Sequence, residues 1–370
     1  MLETSSIISF FMVNTVVVFN YIPNTCTMKR VLPSIAVLLL LSLSSIAQRG
    51  VNFISGGNLR TVFDLAKVQN KAVFLEAYAP TCHVCMAFKP TFENQQVGDI
   101  YNKNYISYKL DMTSPEAAGF LQKQNIWIPS TPTLLFFDKD VKLMHIAIMG
   151  ENTNSPEALI SSAMIAMNPQ KRATAYKAIY QSGNRTTNFL IDYGYMARIL
   201  KDTVMNITVL KTYAKSIPTS QYTSNVNFAV LQKAIMDDEN PLFVYMINHL
   251  AEFNAKFDKN LVKQTAENII MYSLYSSRGN KYSSAKIAQV KANLAKLGVT
   301  QKAIGVRIFR EEATALFREG KSAEAIKILE SIIDAKTDKA SYAYLSNFVK
   351  SRTSDKAALA KATIWAAKGR

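Results

Sequence analysis

The stretch that most constrains this chain is a nearly continuous apolar run, Ala72–Tyr78, leading through Ala79-Pro80-Thr81 into Cys82-His83-Val84-Cys85. An apolar run bounded by a Pro-containing turn predicts a strand buried on both faces. Beyond it, Phe88 and Phe92 recur at helical spacing, which predicts a helix over residues 85–101. Three more strands are predicted at residues 105–112, 133–138 and 142–149, and helices at 59–69, 115–124 and 156–167. That alternation argues for a sheet with helices on its faces.

The Cys-x-x-Cys segment carries the chemistry. A Cys at a helix N-terminus faces unpaired backbone N–H groups and the positive end of the helix dipole, and both favour thiolate over thiol. The thiolate is the attacking species in disulfide exchange. Cys82 is therefore the expected nucleophile, and Cys85, one turn along, the resolving thiol. Blander roles exist for the same pair. It can be a structural disulfide, although closing so short a loop gains little. It can bind zinc, although two Cys and one His leave a tetrahedral site unfilled.

With these residues in place the chain resembles the thioredoxin superfamily over about residues 55–167. Ala72–Cys82 is similar to the family's central strand running into its active site. Glu76, six residues before Cys82, stands where the family keeps a buried acid, and Lys109 matches a lysine that neighbours it. Pro90 matches a helix-kinking proline, Gly150 a glycine before the last helix, and Thr131-Pro132-Thr133 the cis-proline loop. In the family that loop faces the active Cys, and the residue before the proline pairs its backbone with substrate. The resemblance thus implies Thr131 and Pro132 as substrate-binding residues.

Burial of Glu76 beside Cys85 would raise its pKa and suit it to accept the Cys85 proton, with Lys109 countering the rise. His83, when protonated, can stabilise the Cys82 thiolate. Ordinary readings remain: a strand-edge acid at Glu76, a snorkelling Lys109, an exposed His83 and a trans Pro132. The chain departs from thioredoxin itself, which has Gly-Pro where this one has His83-Val84. Strong oxidases and isomerases carry His just before the second Cys, whereas here His83 follows the first. The resemblance is to extracytoplasmic members, including those that pass electrons inward from membrane reductases. The direction of electron flow stays open.

The N-terminus predicts export. Met28-Lys29-Arg30, an apolar stretch over residues 31–43 and Ser45-Ile46-Ala47 are the parts of a secretory signal peptide. Cleavage is expected after Ala47, leaving Gln48 first. Residues 1–27 fit this badly, so Met28 is the expected start. If residues 1–27 are translated, residues 7–22 are the alternative, a membrane anchor. Periplasm is the expected location, with secreted or anchored forms as alternatives. Of the three Cys, Cys26 falls in the leader, so the exported chain keeps only Cys82 and Cys85.

Charge divides the rest of the 370-residue sequence. Residues 48–170 hold ten basic and ten acidic side chains, whereas residues 171–370 hold 31 and 16. The net charge of +16 therefore sits almost wholly in the second half. That half shows little strand pattern and much helical period. Phe317–Ile326 resembles the turn and second helix of a tetratricopeptide unit, and Ala325 and Ile326 match Ala358 and Leu359 at a spacing of 33. A helical array presenting a protein-binding face is expected. Scattered lysines without a stacking-aromatic motif argue for a solvated basic surface and against nucleic acid. Tyr193, Tyr195, Tyr213, Tyr245, Tyr272 and Tyr275 are expected in helix packing, and His145 and His249 in structural roles. Asn184 and Asn206 begin N-glycosylation patterns that matter in a eukaryotic source.

The expectation is a leader over residues 1–47, a thioredoxin-like α/β domain over 48–169 and an all-α helical array over 170–370. Its function is exported thiol–disulfide exchange, with reduction of protein disulfides preferred. The alternatives are an oxidase or isomerase with the same centre, and a non-catalytic envelope interaction protein. No metal or cofactor is expected beyond the Cys82–Cys85 disulfide. The expected partners are proteins with thiols or disulfides and an electron-donating redox partner, membrane-bound or soluble.

Overall fold

The computed structural model describes residues 50–370, which form one compact unit. The leader, with Cys26, Met28, Ala47 and Gln48, lies outside the described residues. Five strands build a mixed sheet: β1 (Phe53–Ile54), β2 (Ala72–Tyr78), β3 (Tyr105–Asp111), β4 (Thr133–Phe137) and β5 (Leu143–Ile148), in the order β1-β3-β2-β4-β5. β2 lies at the centre, parallel to β3 and antiparallel to β4. Its apolar run therefore meets a helix layer on each face, which is why it shows no polar alternation.

Six helices flank these strands: α1 (Leu59–Gln69), α2 (His83–Ala87), α3 (Lys89–Phe92), α4 (Gln95–Asn104), α5 (Pro115–Lys123) and α6 (Pro156–Met167). On one face Val73, Leu75, Ala77, Leu135 and Phe137 pack against α1 and α5. On the other, Phe74, Leu134 and Phe136 pack against Phe88, Phe92, Tyr101 and Leu159. The hydroxyls of the buried Tyr101 and Tyr105 donate to the carbonyls of Leu159 and Ala163, at 2.9 and 2.7 Å, and tie this layer together. Those bonds remove the desolvation cost of the two phenols.

Two features differ from the sequence pattern. The helix expected over 85–101 is three pieces. Pro90 brings no N–H, and Asn94 turns extended (φ −63°, ψ 133°) to cap α4, accepting from the N–H groups of Gln96 and Val97. Edge strand β1 was unexpected, because two residues are too short to show a period. Among the described residues no helix is long and apolar enough to cross a membrane.

Everything after α6 is α-helix or short 3-10 turn. Charge composition changes near residue 169, but packing is continuous there. Met196 and Ile199, from helix Thr187–Ile199, sit in the sheet's α1/α5 core. The N–H of Trp127 donates to Ile199 O at 2.8 Å. The second half has its own apolar core, which includes Tyr193 and Tyr213, with Tyr195 and Tyr245 against it. Tyr272 and Tyr275 are more exposed than the other four, yet each reaches a neighbouring helix: the Tyr272 ring centroid lies 4.6 Å from the Arg198 guanidinium carbon, and Tyr275 OH donates to Arg307 O. Near the C-terminus, helices Gln301–Arg318 and Ser322–Glu330 pack together, as do Lys339–Lys350 and Lys356–Lys368. Ala325 and Ala358, the pair spaced by 33, are both buried. Asn206 is fully buried and donates to Gly194 O and Ala234 O, so its glycosylation pattern is unusable in the folded chain.

His145 joins the two halves. Its Nδ1 accepts from the Ala173 N–H at 3.1 Å, and burial lowers its pKa to about 4. The folded value lies below the ordinary 6.5, so the unfolded chain takes up the proton first. The His145 contribution to stability is therefore fully present above about pH 6.5 and is lost as pH drops through 6.5 toward 4, by on the order of 3 kcal/mol. Urea titrations across that window should show the slope, and a folded His145→Asn should flatten it. An unchanged slope in the variant would locate the pH dependence elsewhere.

Candidate functional site

The N-cap of α2 is Cys82, in extended conformation, and Cys85 is joined to it as a disulfide with Cα atoms 5.3 Å apart. Cys82 is half-buried and Cys85 buried, so only the first sulfur is open to a partner. The Cys85 N–H donates to Cys82 Sγ at 3.1 Å. α2 is only five residues long, so its dipole is weaker than a long helix would give. The directed N–H is thus the main local group that would stabilise a Cys82 thiolate.

The Thr131–Pro132 peptide is cis, and Cys82 Sγ lies 3.5 Å from Thr131 O. Pro132 is buried and Thr131 half-buried. Two contacts anchor the loop: Met149 N–H donates to Pro132 O at 3.1 Å, and Thr133 Oγ1 donates to Ser130 O at 2.7 Å. Both fix the Thr131 backbone beside the sulfur.

Glu76 lies on β2 on the same sheet face as Phe74, the face covered by the α2–α4 layer. It is 1% exposed, and burial raises its pKa against the opposing pull of Lys109. The register sets Glu76 beside Lys109, whose Nζ is 3.3 Å from Glu76 Oε2. The Lys109 ammonium lies 4.8 Å from the Phe53 ring centroid and 5.8 Å from that of Tyr78, and the side chain stays partly in solvent. Desolvation outweighs pairing because the cation is solvated and the carboxylate is not. The folded state holds the Glu76 proton more tightly than the unfolded chain. Its contribution is greatest below the ordinary value of 4.5 and declines as pH rises through the folded pKa. Glu76→Gln should therefore gain stability relative to wild type as pH increases from about 4.5 to 8. Paired thermal melts at several pH values check this, and a constant difference would refute it.

His83 is exposed, with Nε2 3.6 Å from Glu151 Oε1 on the loop after β5. That carboxylate is its charged partner. Sequence reasoning missed Glu151, whose only signal was its place next to Gly150. Among the described residues no group of three His, Cys, Asp or Glu is arranged to hold a metal ion. Pro90 is the second residue of the short α3, and Gly150 precedes the 3-10 turn Glu151–Thr153 ahead of α6.

Sequence reasoning also missed a cavity of about 460 Å³ beside the Thr131 loop, with Ser130, Met149 and Trp127 on one side and Arg198, Gln232 and Lys233 on the other. The second wall comes entirely from the helical half.

No family model matches the chain. Spermatogenesis-associated protein 20 of Rattus norvegicus is 40% identical over 86 residues, a match covering 20% of this chain and 11% of that protein. The chain thus spans about a tenth of the length of the curated relative it matches. A solution structure from Bacteroides thetaiotaomicron, described as a candidate disulphide isomerase, is 21% identical and is covered over 95% of its length against 32% of this chain, with a TM-score of 0.29.

Proposed function

We propose that this chain is an exported thiol–disulfide oxidoreductase of the thioredoxin fold that reduces protein disulfides. The observation carrying the reading is Cys82 Sγ, half-exposed at a helix start between the Cys85 N–H and the Thr131 carbonyl. In the reduced protein the Cys82 thiolate attacks one sulfur of a substrate disulfide. A mixed disulfide forms and one substrate thiolate leaves, to be protonated. Cys85, losing its proton toward Glu76, then attacks Cys82 Sγ and expels the second substrate thiolate. The substrate gains two electrons and two protons, and Cys82–Cys85 becomes a disulfide. A dithiol redox partner must return those electrons. Thr131 and Pro132 form the edge along which the substrate backbone docks, and His83 lies at the rim. No resident cofactor is required.

Measuring the Cys82–Cys85 potential against glutathione and dithiothreitol buffers tests the direction. A value near −270 mV, roughly that of thioredoxin, is expected. A value toward roughly −120 mV would make the protein a disulfide donor and overturn the reductive reading.

A further inference from the structure

We propose that the cavity beside the Thr131 loop is a carboxylate pocket, and that it selects substrate polypeptides with an acidic side chain a few residues from the reacting cysteine. This rests on the reading of Thr131 as the substrate-docking residue.

Arg198 forms the pocket's far wall and is only 6% exposed. Its guanidinium carbon lies 5.0 Å from the Trp127 ring centroid and 4.6 Å from that of Tyr272. Among the described residues its hydrogen bonding is a single long contact, Nη1 to Gln232 O at 3.4 Å, and it enters no ion pair. Arg278, in the same half, is held by Asp237 Oδ1 at 2.6 Å. No Arg198 nitrogen is both sealed from solvent and unpaired among the described residues, so its free N–H groups face accessible space, where a planar anion can take two parallel N–H···O bonds. The Trp127 and Tyr272 rings supply cation–π contact without accepting its N–H groups, which stay available to a ligand. Lys233 adds a second positive charge at the rim, and no acidic residue lines the cavity.

Position then names the ligand's source. The near wall includes Ser130, the residue before Thr131, whose carbonyl is 3.5 Å from Cys82 Sγ. A polypeptide paired along Thr131 with its sulfur at Cys82 passes the pocket mouth within a few residues, at about 3.3 Å each. An Asp or Glu side chain there reaches in while its backbone stays on the loop. The helical half would in this way set substrate choice through one residue, Arg198, rather than through its diffuse net charge.

The test uses two peptides carrying the same disulfide, one with Glu and one with Gln near the cysteine. For the full exported chain, kcat/KM for reduction should favour the Glu peptide about tenfold, the size of a charge-assisted hydrogen bond. Arg198→Gln should bring that ratio near one. If Arg198→Gln does not fold, Lys233→Glu at the exposed rim should still reduce the ratio severalfold. Equal rates for the two peptides with wild type would overturn the pocket. Serine-for-cysteine versions of the same peptides separate this from failure of the redox reading. Their affinities, followed by Trp127 fluorescence in a Trp365→Phe background, should keep the Glu preference even if neither peptide is reduced. Acetate displacing the Glu peptide at the peptide's own concentration would show a site for free carboxylates, and would overturn the polypeptide assignment.

Discussion

Cys82→Ser should abolish disulfide exchange, lowering kcat/KM by about three orders of magnitude or more, as loss of a covalent nucleophile does elsewhere. Cys85→Ser should instead accumulate a mixed disulfide between Cys82 and substrate. The asymmetry follows from accessibility: Cys82 is half-open beside Thr131 O, whereas Cys85 is buried. Unfolding does not account for the expected loss, because opening a loop this short costs only about 2 kcal/mol. Mass spectrometry after mixing with a disulfide peptide reads both outcomes. The alternative in which the fold is an interaction scaffold makes the opposite statement. An inert Cys82 together with full biological activity in Cys82→Ser would establish that alternative and remove the enzyme.

Legibility tracked how local each determinant was. β2 was readable residue for residue because a buried central strand is a continuous apolar run. α1 and α6 were readable too, each bounded by a capping residue, Asn58 and Ser155, at its start. The broken helix after Cys85 was partly encoded: the resemblance marked Pro90 as a helix-kinking proline, but the helical spacing of Phe88 and Phe92 hid the second break, at Asn94. Those two side chains share a face because the separate helices α2–α4 all lie on one layer of the sheet. Cys82 and Cys85 were legible from spacing, and Glu76 and Lys109 from resemblance, since strand pairing sets them side by side. The Arg198 pocket was not legible, because its walls come from segments some 70 residues apart and one arginine among many basic residues carries no pattern.

The basic half shows the same limit from another side. A solvated surface was the expectation for its lysines and arginines, yet several turn inward. Lys211, Arg278 and Lys286 converge on Asp237-Asp238-Glu239, the loop between helices Asn225–Lys233 and Pro241–Asn248. Burial pulls Arg278 and Lys286 toward deprotonation, but the carboxylates more than offset it and both pKa values are raised. Pairing therefore wins at this site, the reverse of Glu76. The difference is the number of partners: the loop's carboxylates meet three cations, whereas Glu76 meets one that is itself in solvent. Three consecutive acids before Asn240-Pro241, in a half with 31 basic and 16 acidic residues, were the available signal.

Asp238→Ala should be among the most damaging substitutions in the helical half, costing about 3–5 kcal/mol. Asp238 is 4% exposed; its Oδ1 accepts from Ser273 Oγ at 2.7 Å and Tyr282 OH at 3.1 Å, and its Oδ2 meets Lys286 Nζ at 2.9 Å. Alanine leaves the Lys286 ammonium with only the partly exposed Glu239, Oε1 at 3.3 Å, and takes the carboxylate acceptor from two buried hydroxyls. Asp238→Asn keeps an acceptor for the hydroxyls and loses the charge, so it should fall between wild type and alanine. As a surface control, Lys263→Ala breaks only an i,i+4 pair with Glu267 at 3.9 Å and should cost less than about 0.5 kcal/mol. Unfolding of a chain this long need not be two-state, so hydrogen exchange in helices Lys259–Leu274 and Ser284–Lys296 is the sharper measure. Protection there should collapse in Asp238→Ala and persist around β2. Added salt should rescue little, since the network is screened less than exposed pairs. If Asp238→Ala matched the surface control, the cluster would be a consequence of the helical packing rather than one of its causes.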